Sequence, residues 1–334
     1  MLFSHLLPRY PTTSVVLNML FFSEDQFRRL VNVDQIIQAI RNAFTRDFSS
    51  TLRMPVRTAM ELDGAVLLMM PCYDSALNAA GVKLVSVSEK AEVNAVYELL
   101  DPATGIPIAR MEANYLTDLR TAATSAVATD LLARPDVETL GVFGSGRQAA
   151  AHFEVLPRVR RFRKFLVCSS GRSDLKQFCV RMKKEHSIKI IPVSAETCAS
   201  ESDVICTCTT AREPLFDGRW VRPGTHLNLV GAFQPDTREV DDETVRRACV
   251  VVDTYEGALA EAGDLLIPIK NGAVDRSHVI ADLHEIASGK KPGRTNRDEI
   301  TLFKSVGCAL EDLVTALAAY EQGTRVETGK QPHG

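Results

Sequence analysis

From Thr139 onward, short apolar runs that predict strands alternate with amphipathic stretches that predict helices. The apolar runs cover residues 139–144, 164–170, 188–193, 204–209, 225–232 and 249–254. Such alternation is typical of a parallel, doubly wound sheet, because each parallel strand needs a crossover connection to the next. The pattern therefore predicts an α/β fold of the Rossmann type for this part of the chain.

The first third of the chain shows a different pattern, in which a helix precedes antiparallel strands. Apolar spacing predicts a helix over 33–44, turn residues predict hairpins at 63–64 and 101–105, and a further strand begins at 81. A long helix is predicted over 116–132 with Thr117 as its N-cap, and Ser23 is expected to cap an earlier helix together with Gln26. The tail over 301–321 is predicted to be helical and can return to pack on this first part.

Composition narrows the classes of function. The 334 residues suffice for two domains, and 39 basic and 42 acidic residues give a net charge of −3 without a long run of either sign. This balance favours neither a nucleic acid nor a membrane surface as a partner. Cys206 and Cys208 lack a second ligand pair, so we predict no metal site, and the sparse cysteines indicate a reducing, cytoplasmic location.

The first 18 residues contain one basic residue and no acidic one. They can be interpreted as a weak transit peptide or as a disordered, non-native extension from an upstream start codon. We favour the second interpretation, because the segment that starts at Met19 resembles a natural beginning.

A glycine fingerprint stands where the first strand of the α/β pattern meets its helix. Gly144, Gly146 and Ala149 have the spacing Gly-x-Gly-x-x-Ala, which allows a tight turn, close approach of a pyrophosphate, and close packing of the helix. The helix N-terminus presents free N–H groups to that anion. An ordinary glycine-rich turn is the alternative, but the flanking pattern favours a dinucleotide site.

The end of the second strand indicates which dinucleotide is preferred. NAD-binding sheets carry an acidic residue there, whereas this chain has Ser169, Ser170 and Arg172. Hydroxyls and a guanidinium suit a 2′-phosphate, so we predict NADP(H), with NAD(H) possible. The alternative is a solvated turn with an incidental arginine.

Three cations stand in unusual contexts outside the α/β pattern: Arg57, Lys83 and Arg120. Lys83 lies in an otherwise apolar strand, where an unpaired ammonium is costly to bury. By pattern alone it faces solvent or pairs with Glu89 or Glu92. Together, however, the three cations are chemically suited to bind a substrate carboxylate.

Motifs along the chain resemble those of the ornithine cyclodeaminase/mu-crystallin family. The resemblance covers residues 20–322 and rests on these segments: Met54-Pro-Val-Arg-Thr58, Met70-Pro71, Lys83-Leu-Val85, Leu116-Thr-x-x-Arg120-Thr-Ala-Ala123, Gly144-Ser-Gly-Arg-Gln-Ala149, Glu213-Pro214, Trp220-Val-x-Pro-Gly224, Arg238-Glu-Val-Asp241, Glu261-x-Gly-Asp264 and Phe303-Lys-Ser-x-Gly307. It implies a substrate and dimerisation domain built from residues 19–126 and 304–325, a dinucleotide-binding domain over 127–303, and a homodimer.

The resemblance also implies roles for individual residues. Arg57, Lys83 and Arg120 would hold the carboxylate of an amino or imino acid, with Lys83 as the candidate proton relay and Asp236 as a weaker one. The cofactor would contact the following residues: Thr121, Gly144, Ser145, Gly146, Arg147, Gln148, Ser169, Ser170, Arg172, Thr209, Phe233, Ser305 and Gly307.

One position departs from the cyclodeaminase pattern. Phe233 stands where cyclodeaminases have an acid/base aspartate, and a phenyl ring cannot exchange a proton. The surrounding segment resembles mu-crystallin and bacterial ketimine reductases instead. The expected activity is therefore NADPH-dependent reduction of a cyclic imino acid, Δ1-pyrroline-2-carboxylate or Δ1-piperideine-2-carboxylate. An amino-acid dehydrogenase of the same family, with an alanine-like substrate, and a non-enzymatic NADPH-dependent binder of small molecules remain alternatives.

Overall fold

The computed structural model describes residues 19–88 and 93–327, with residues 172 and 173 described by their backbone alone. The expectation for the first 18 residues lies outside this part of the chain. So do Glu89 and Glu92, the alternative partners of Lys83.

The strands of the first part form one sheet with an antiparallel centre. Their bounds are β1 (Leu20–Phe22), β2 (Leu52–Arg53), β3 (Thr58–Leu62), β4 (Ala65–Asp74), β5 (Ala79–Ser88), β6 (Val93–Leu100) and β7 (Pro107–Glu112). The order is β1-β7-β6-β5-β4-β2, and β3 pairs with the other end of β4. The hairpins predicted at 63–64 and 101–105 are confirmed, since they join β3 to β4 and β6 to β7.

The strands of the second part form a parallel sheet. They are β8 (Thr139–Phe143), β9 (Lys164–Cys168), β10 (Ile190–Pro192), β11 (Val204–Thr207), β12 (His226–Leu229), β13 (Ala248–Val252), β14 (Val279–Asp282) and β15 (Ile300–Lys304). Their order is β10-β9-β8-β11-β12-β15-β13-β14, with parallel pairing throughout the described residues. The predicted α/β fold with an added α+β unit is confirmed.

Helices precede, connect and follow the strands. They are α1 (Glu24–Leu30), α2 (Val33–Thr45), α3 (Asn114–Leu132), α4 (Arg147–Val155), α5 (Arg172–His186), α6 (Ala195–Glu201), α7 (Asp242–Arg247), α8 (Tyr255–Glu261), α9 (Gly263–Lys270), α10 (Leu283–Ala287) and α11 (Ala309–Glu327). The final helix α11 lies across β4, β5 and β6 and contacts α2 and α3. The end of the chain therefore covers the first sheet.

Three local predictions need correction. The tail predicted to be helical from 301 begins with β15, whose place between β12 and β13 satisfies its backbone groups in the centre of the sheet. Strand β14 was not predicted at all. Helix α3 begins at Asn114 rather than after Thr117, because Asn114 Oδ1 accepts from the Ala95 N–H at 3.0 Å and ties the helix start to β6.

The cap predicted at Ser23 is confirmed. Its hydroxyl accepts from the Gln26 N–H, and the Gln26 side chain accepts in return from the Ser23 N–H. This reciprocal pair satisfies two N–H groups that a helix start otherwise leaves unpaired. The cap thus fixes the point at which α1 leaves the edge strand β1.

Helix α3 packs against elements of both parts of the chain. It contacts α2 and α11 on one side and α4, β12 and β15 on the other. The boundary predicted between residues 126 and 127 falls inside this helix. Arg120 and Asp118, which both take part in the site described next, are therefore held by one buried element.

Candidate active site

The fingerprint turn leaves its backbone open where a phosphate would approach. Gly144 has φ +113°, and a Cβ there would lie 2.6 Å from the Cys208 carbonyl oxygen, so only glycine fits. A Cβ on Gly146, by contrast, would meet nothing within 4 Å. Gly146 is the N-cap of α4 and provides no side-chain cap, which leaves the first N–H groups of the helix available to an anion.

Side chains around this turn fit a dinucleotide. Gln148 Oε1 is buried without a protein partner among the described residues. The Ser145 and Ser169 hydroxyls lie 3.0 Å apart and join the turn to the end of β9. Arg147 donates to Asp118 Oδ2 at 2.7 Å, so the turn is also tied to α3.

The end of β9 carries hydroxyls and no carboxylate. Ser169 is half-buried and Ser170 is exposed, directly before the first turn of α5. The Arg172 side chain lies outside the described part of the chain. Its predicted contact with a 2′-phosphate stays a prediction.

The structure brings Lys83 and Arg120 together on one carboxylate. Lys83 Nζ donates to Asp312 Oδ1 at 2.7 Å, and Arg120 Nε donates to the same oxygen at 2.9 Å. Arg120 Nη1 also donates to Glu311 Oε2 at 2.7 Å. The side chains of both cations are at least nine-tenths buried, so the interpretation of Lys83 as a solvated surface residue is wrong.

Arg57 reaches the same place from the segment before β3. Its Nε lies 2.9 Å from Glu261 Oε2, and its Nη2 donates to the carbonyl oxygens of Val306 and Gly307. The ring of Phe233 stands 5.9 Å from the guanidinium carbon of Arg57. We call Arg57, Lys83 and Arg120 the cation cluster.

Each of the two guanidinium groups of the cation cluster has one nitrogen without a partner among the described residues. In the part of the chain that the structure describes, no hydrogen bond or ion pair takes up Nη1 of Arg57 or Nη2 of Arg120. A carboxylate can therefore bind without breaking the internal ion pairs. A hydrogen bond of this kind between a guanidinium and a carboxylate is charge-assisted and stronger than one between neutral groups.

Burial and neighbouring charges set the protonation of the cluster. Desolvation, reinforced by Arg120 and opposed by Asp312, lowers the pKa of Lys83 to about 8. Burial disfavours the charged form of Arg120 as well, but Asp312 and Glu311 outweigh it and raise the pKa of its guanidinium. Arg120 is thus a permanent cation, whereas Lys83 can exchange a proton near neutral pH.

The turn that joins β15 to α11 forms the floor of the site. Asp253 Oδ2 accepts from the Ser305 hydroxyl at 3.0 Å and from the Val306 and Gly307 N–H groups at 2.8 and 2.7 Å. Gly307 has φ +81°, and a Cβ on it would lie 2.4 Å from Arg120 Nη1. The guanidinium therefore packs directly on the backbone of this turn.

A cavity opens beside the cation cluster. Arg57 and Gly307 line it, together with Glu261, Cys308 and an apolar wall that contains Met54, Val56 and Met70. Lys83 pairs across the sheet with Met70, and Arg120 packs on Gly307. The cavity can therefore take a small molecule with one anionic group and an otherwise apolar body.

A second buried network holds the loops next to the fingerprint. Glu239 accepts from Thr207, from Thr209 and from the N–H groups of Gly231 and Ala232, at 2.7 to 3.3 Å. Lys304 Nζ donates to Asp264 and to the Ala232 carbonyl oxygen. Thr209, predicted to contact the cofactor, is one of the residues that this network holds in place.

Two predicted site residues do not join these clusters. Asp236 is two-thirds exposed and pairs with Arg212 at the surface, 2.6 Å away. The Thr121 hydroxyl donates to the Thr117 carbonyl oxygen within α3. The contact predicted between Thr121 and the cofactor stays a prediction, and the ion pair of Asp236 lies apart from the cation cluster.

Sequence reasoning missed the acidic partners of the cation cluster, Glu261, Glu311 and Asp312, and also Asp253, which holds the turn beneath it. A signal for two of them was present, because Glu311 and Asp312 interrupt an apolar run just as Lys83 interrupts an apolar strand. Buried charges of opposite sign indicate mutual pairing. The pairing itself joins residues 229 positions apart and is not visible in the sequence.

Comparisons with known proteins agree with this geometry. The sequence profile described as "Ornithine cyclodeaminase/mu-crystallin family" matches residues 18–327. The Delta(1)-pyrroline-2-carboxylate reductase of Bacillus cereus is 33% identical over 94% of this chain and 99% of its own. Ketimine reductase mu-crystallin of Mus musculus is 36% identical over 85% of this chain and 90% of its own.

A solved structure extends the likeness to three dimensions. The Delta(1)-pyrroline-2-carboxylate reductase of Thermococcus litoralis, in complex with NADH and L-proline, has a TM-score of 0.89 at 40% identity and covers 95% of this chain and 100% of its own. The match extends over both sheets and the helix that returns from the chain end. The chain belongs to the ornithine cyclodeaminase/mu-crystallin family.

Proposed function

We propose that this protein reduces the C=N bond of a cyclic imino acid with a reduced nicotinamide dinucleotide. The observation that carries the proposal is the cation cluster, in which two permanent guanidinium cations flank a buried lysine that can give up a proton. The reductase activities for which the Bacillus, Thermococcus and mouse relatives are named support it. The substrates would be Δ1-pyrroline-2-carboxylate or Δ1-piperideine-2-carboxylate.

Each residue of the cation cluster has its own role in the proposed reduction. Arg57 and Arg120 bind the substrate carboxylate and orient the ring, while the apolar wall excludes water from it. When bound, the reduced nicotinamide supplies the hydride that the imine carbon accepts. Lys83 Nζ donates its proton to the imine nitrogen, so the C=N bond becomes a single bond with a new C–H and a new N–H. The exposed pair of Asp236 with Arg212 gives no support to Asp236 as the donor.

Phe233 separates this proposal from a cyclodeaminase. Its ring lies beside Arg57 and brings no acid/base group to the cavity. Deamination and cyclisation of ornithine need such a group at the reacting amine. Proline formation from ornithine with catalytic NAD would therefore contradict the role given to Phe233.

The experiment is a panel of five- and six-membered cyclic imino acids with NADPH and NADH, followed by the loss of nicotinamide absorbance. We expect turnover of at least one ring size. Arg120→Ala should lose most of this turnover, with a fall in kcat/KM that corresponds to about 2 kcal/mol or more of lost transition-state stabilisation. Turnover of pyruvate with ammonia, but of neither cyclic imine, would instead indicate the amino-acid dehydrogenase. Tight NADPH binding without any turnover would indicate a binding protein.

For the cofactor we propose a preference for NADP(H), because hydroxyls replace the usual carboxylate after β9. Arg172→Ala should lower kcat/KM with NADPH and leave the value with NADH nearly unchanged. If the ratio of kcat/KM with NADPH to kcat/KM with NADH is unchanged in this variant, Arg172 does not have the proposed role.

We also propose a homodimer, with residues 19–126 and 304–325 as the substrate and dimerisation domain and 127–303 as the dinucleotide-binding domain. The outer face of the first sheet supports this assembly. Leu84 is only half-buried there between Met69 and Val96 on the neighbouring strands, and exposed Met60 pairs with Leu67. A contiguous apolar sheet face of this kind is typical of an interface.

A further inference from the structure

Two buried polar atoms beside the cation cluster have no partner among the described residues. They are the Tyr97 hydroxyl and Asp312 Oδ2, and both residues are fully buried. An unpaired hydroxyl or carboxylate oxygen in the interior keeps its full desolvation cost. A donor and an acceptor left over in one cluster can satisfy each other.

The register of the first sheet places Tyr97 beside the lysine that Asp312 binds. Tyr97 on β6 pairs directly with Lys83 on β5, and Lys83 donates to the other oxygen of Asp312. A Cβ on Gly81, two residues before Lys83 on the same face, would lie 2.4 Å from the Tyr97 hydroxyl oxygen. The missing side chain at Gly81 therefore makes room for the phenol on the face that α11 covers.

The electrostatics of Tyr97 make its hydroxyl available as a donor. Burial and the nearby Asp312 charge raise the pKa of Tyr97 well above its ordinary value. The phenol keeps its proton at neutral pH and acts as a donor, and Asp312 Oδ2 is the buried acceptor in the same cluster that lacks a donor. The Cys72 thiol also belongs to this cluster and keeps its proton, because burial raises its pKa to about 12.

We propose that Tyr97 is a positioning residue for Lys83, its hydroxyl donating to one buried water that in turn donates to Asp312 Oδ2. The proposal deepens the proposed function and rests on it for the role of Lys83 as proton donor. A donor on the second oxygen spreads the Asp312 charge and weakens its hold on the lysine proton. It also fixes the carboxylate plane and so the direction of Lys83 Nζ.

The sign of the expected effect follows from the charges around Lys83. The titratable groups of the cluster come from four elements and one loop: Arg120 on α3, Asp312 and Glu311 on α11, the neutral Tyr97 on β6, the neutral Cys72 on β4, and Arg57 before β3. Only the acids favour the ammonium form. Without the Tyr97 donor, Asp312 depends more on Lys83 and Arg120, so the pKa of Lys83 should rise.

The test is Tyr97→Phe, which removes one oxygen and keeps the ring in its place. We expect the basic limb of kcat against pH to move up by roughly half a unit to one unit, with kcat at pH 7 reduced several-fold and KM for the dinucleotide unchanged. The matched control is Tyr115→Phe, which changes a buried tyrosine under Arg28 outside the cluster. This control should leave the pH profile in place.

A direct titration of Lys83 separates the two proposals. Lysine labelled with ¹³C at Cε, with the Lys83 resonance assigned through Lys83→Arg, reports the pKa whether or not the protein reduces imines. An upward shift in Tyr97→Phe supports the positioning role even if every imine fails as a substrate. An unchanged Lys83 titration, together with a higher melting temperature from removal of an unpaired hydroxyl, would overturn it.

A second variant covers the case in which Tyr97→Phe does not fold. Replacement of Tyr97 by 3-fluorotyrosine makes the phenol a stronger donor and keeps its oxygen. The Lys83 titration should then move down in pH. No movement in that variant would likewise overturn the proposal.

Discussion

At Lys83, burial and two neighbouring guanidinium groups disfavour the ammonium form, and the Asp312 carboxylate opposes them. The balance brings the pKa of Lys83 to about 8, a value suited to a residue that donates a proton near neutral pH. Arg120, two to three ångströms from the same carboxylate, stays charged under all conditions. The Asp312 carboxylate thus pairs both with Arg120, which stays charged, and with Lys83, which can exchange its proton.

This difference leads to a prediction at Lys83. As general acid it must be protonated, so kcat/KM for the imine should fall as the pH rises through about 8. Lys83→Arg keeps the positive charge but does not release a proton in this range. It should lower kcat by roughly a hundredfold or more and abolish this limb of the profile, while substrate affinity changes less. A variant that keeps its kcat and basic limb would show that another group donates the proton.

At the scale of elements, loops that follow different strands are joined by buried carboxylates. Glu239 holds the loop after β11 and the loop after β12, and Asp253 holds the turn after β15. All three segments lie at the carboxyl ends of parallel strands, the edge at which doubly wound sheets bind ligands. The network therefore fixes the backbone around Thr209, Phe233 and Gly307.

A substitution at Glu239 tests whether this network stabilises the fold, because the Glu239 carboxylate accepts every one of its side-chain hydrogen bonds. Glu239→Gln replaces an acceptor by an NH₂ group that would face N–H and O–H donors. We expect it to lower the free energy of unfolding by about 2 kcal/mol or more. Urea titration measures this loss, and Glu243→Gln on the surface of α7 is the control. Equal stability of both variants would mean that the network relaxes without cost.

The sequence was sufficient for features with local causes. The glycines at 144 and 146 are required by the turn itself, and the hairpin at 63–64 is required by its Asp-Gly pair. It was insufficient for β15, whose strand conformation comes from neighbours on both sides in the sheet. Lys83 stood out as a misplaced charge, but Asp312, on a helix at the other end of the chain, could be found only through the fold.

At the scale of the whole molecule, the first sheet has one face covered by α11, and the opposite face carries a patch of partly buried apolar residues around Leu84. Among the described residues, no helix is both long and apolar enough to cross a membrane. A second copy of the chain is the occupant that we propose for this face.

The oligomeric state provides the corresponding prediction. Leu84→Asp places a charge in the centre of the apolar face, where burying it without a partner is costly. Sedimentation velocity should show a dimer for the unchanged protein and a monomer for this variant. Val180→Asp, which changes an exposed residue on α5, should leave the dimer intact. A monomeric unchanged protein would exclude the proposed assembly.

Helix α3 has a consequence for how the binding of one ligand affects the binding of the other. Two residues apart on it, Asp118 holds Arg147 of the phosphate-binding turn and Arg120 belongs to the carboxylate-binding cluster. The helix is buried along most of its length, so Asp118 and Arg120 cannot shift independently. The coupling free energy between the two binding events must be the same whichever ligand binds first. If dinucleotide binding improves the affinity for the imino acid by some factor, the imino acid improves the affinity for the dinucleotide by that same factor.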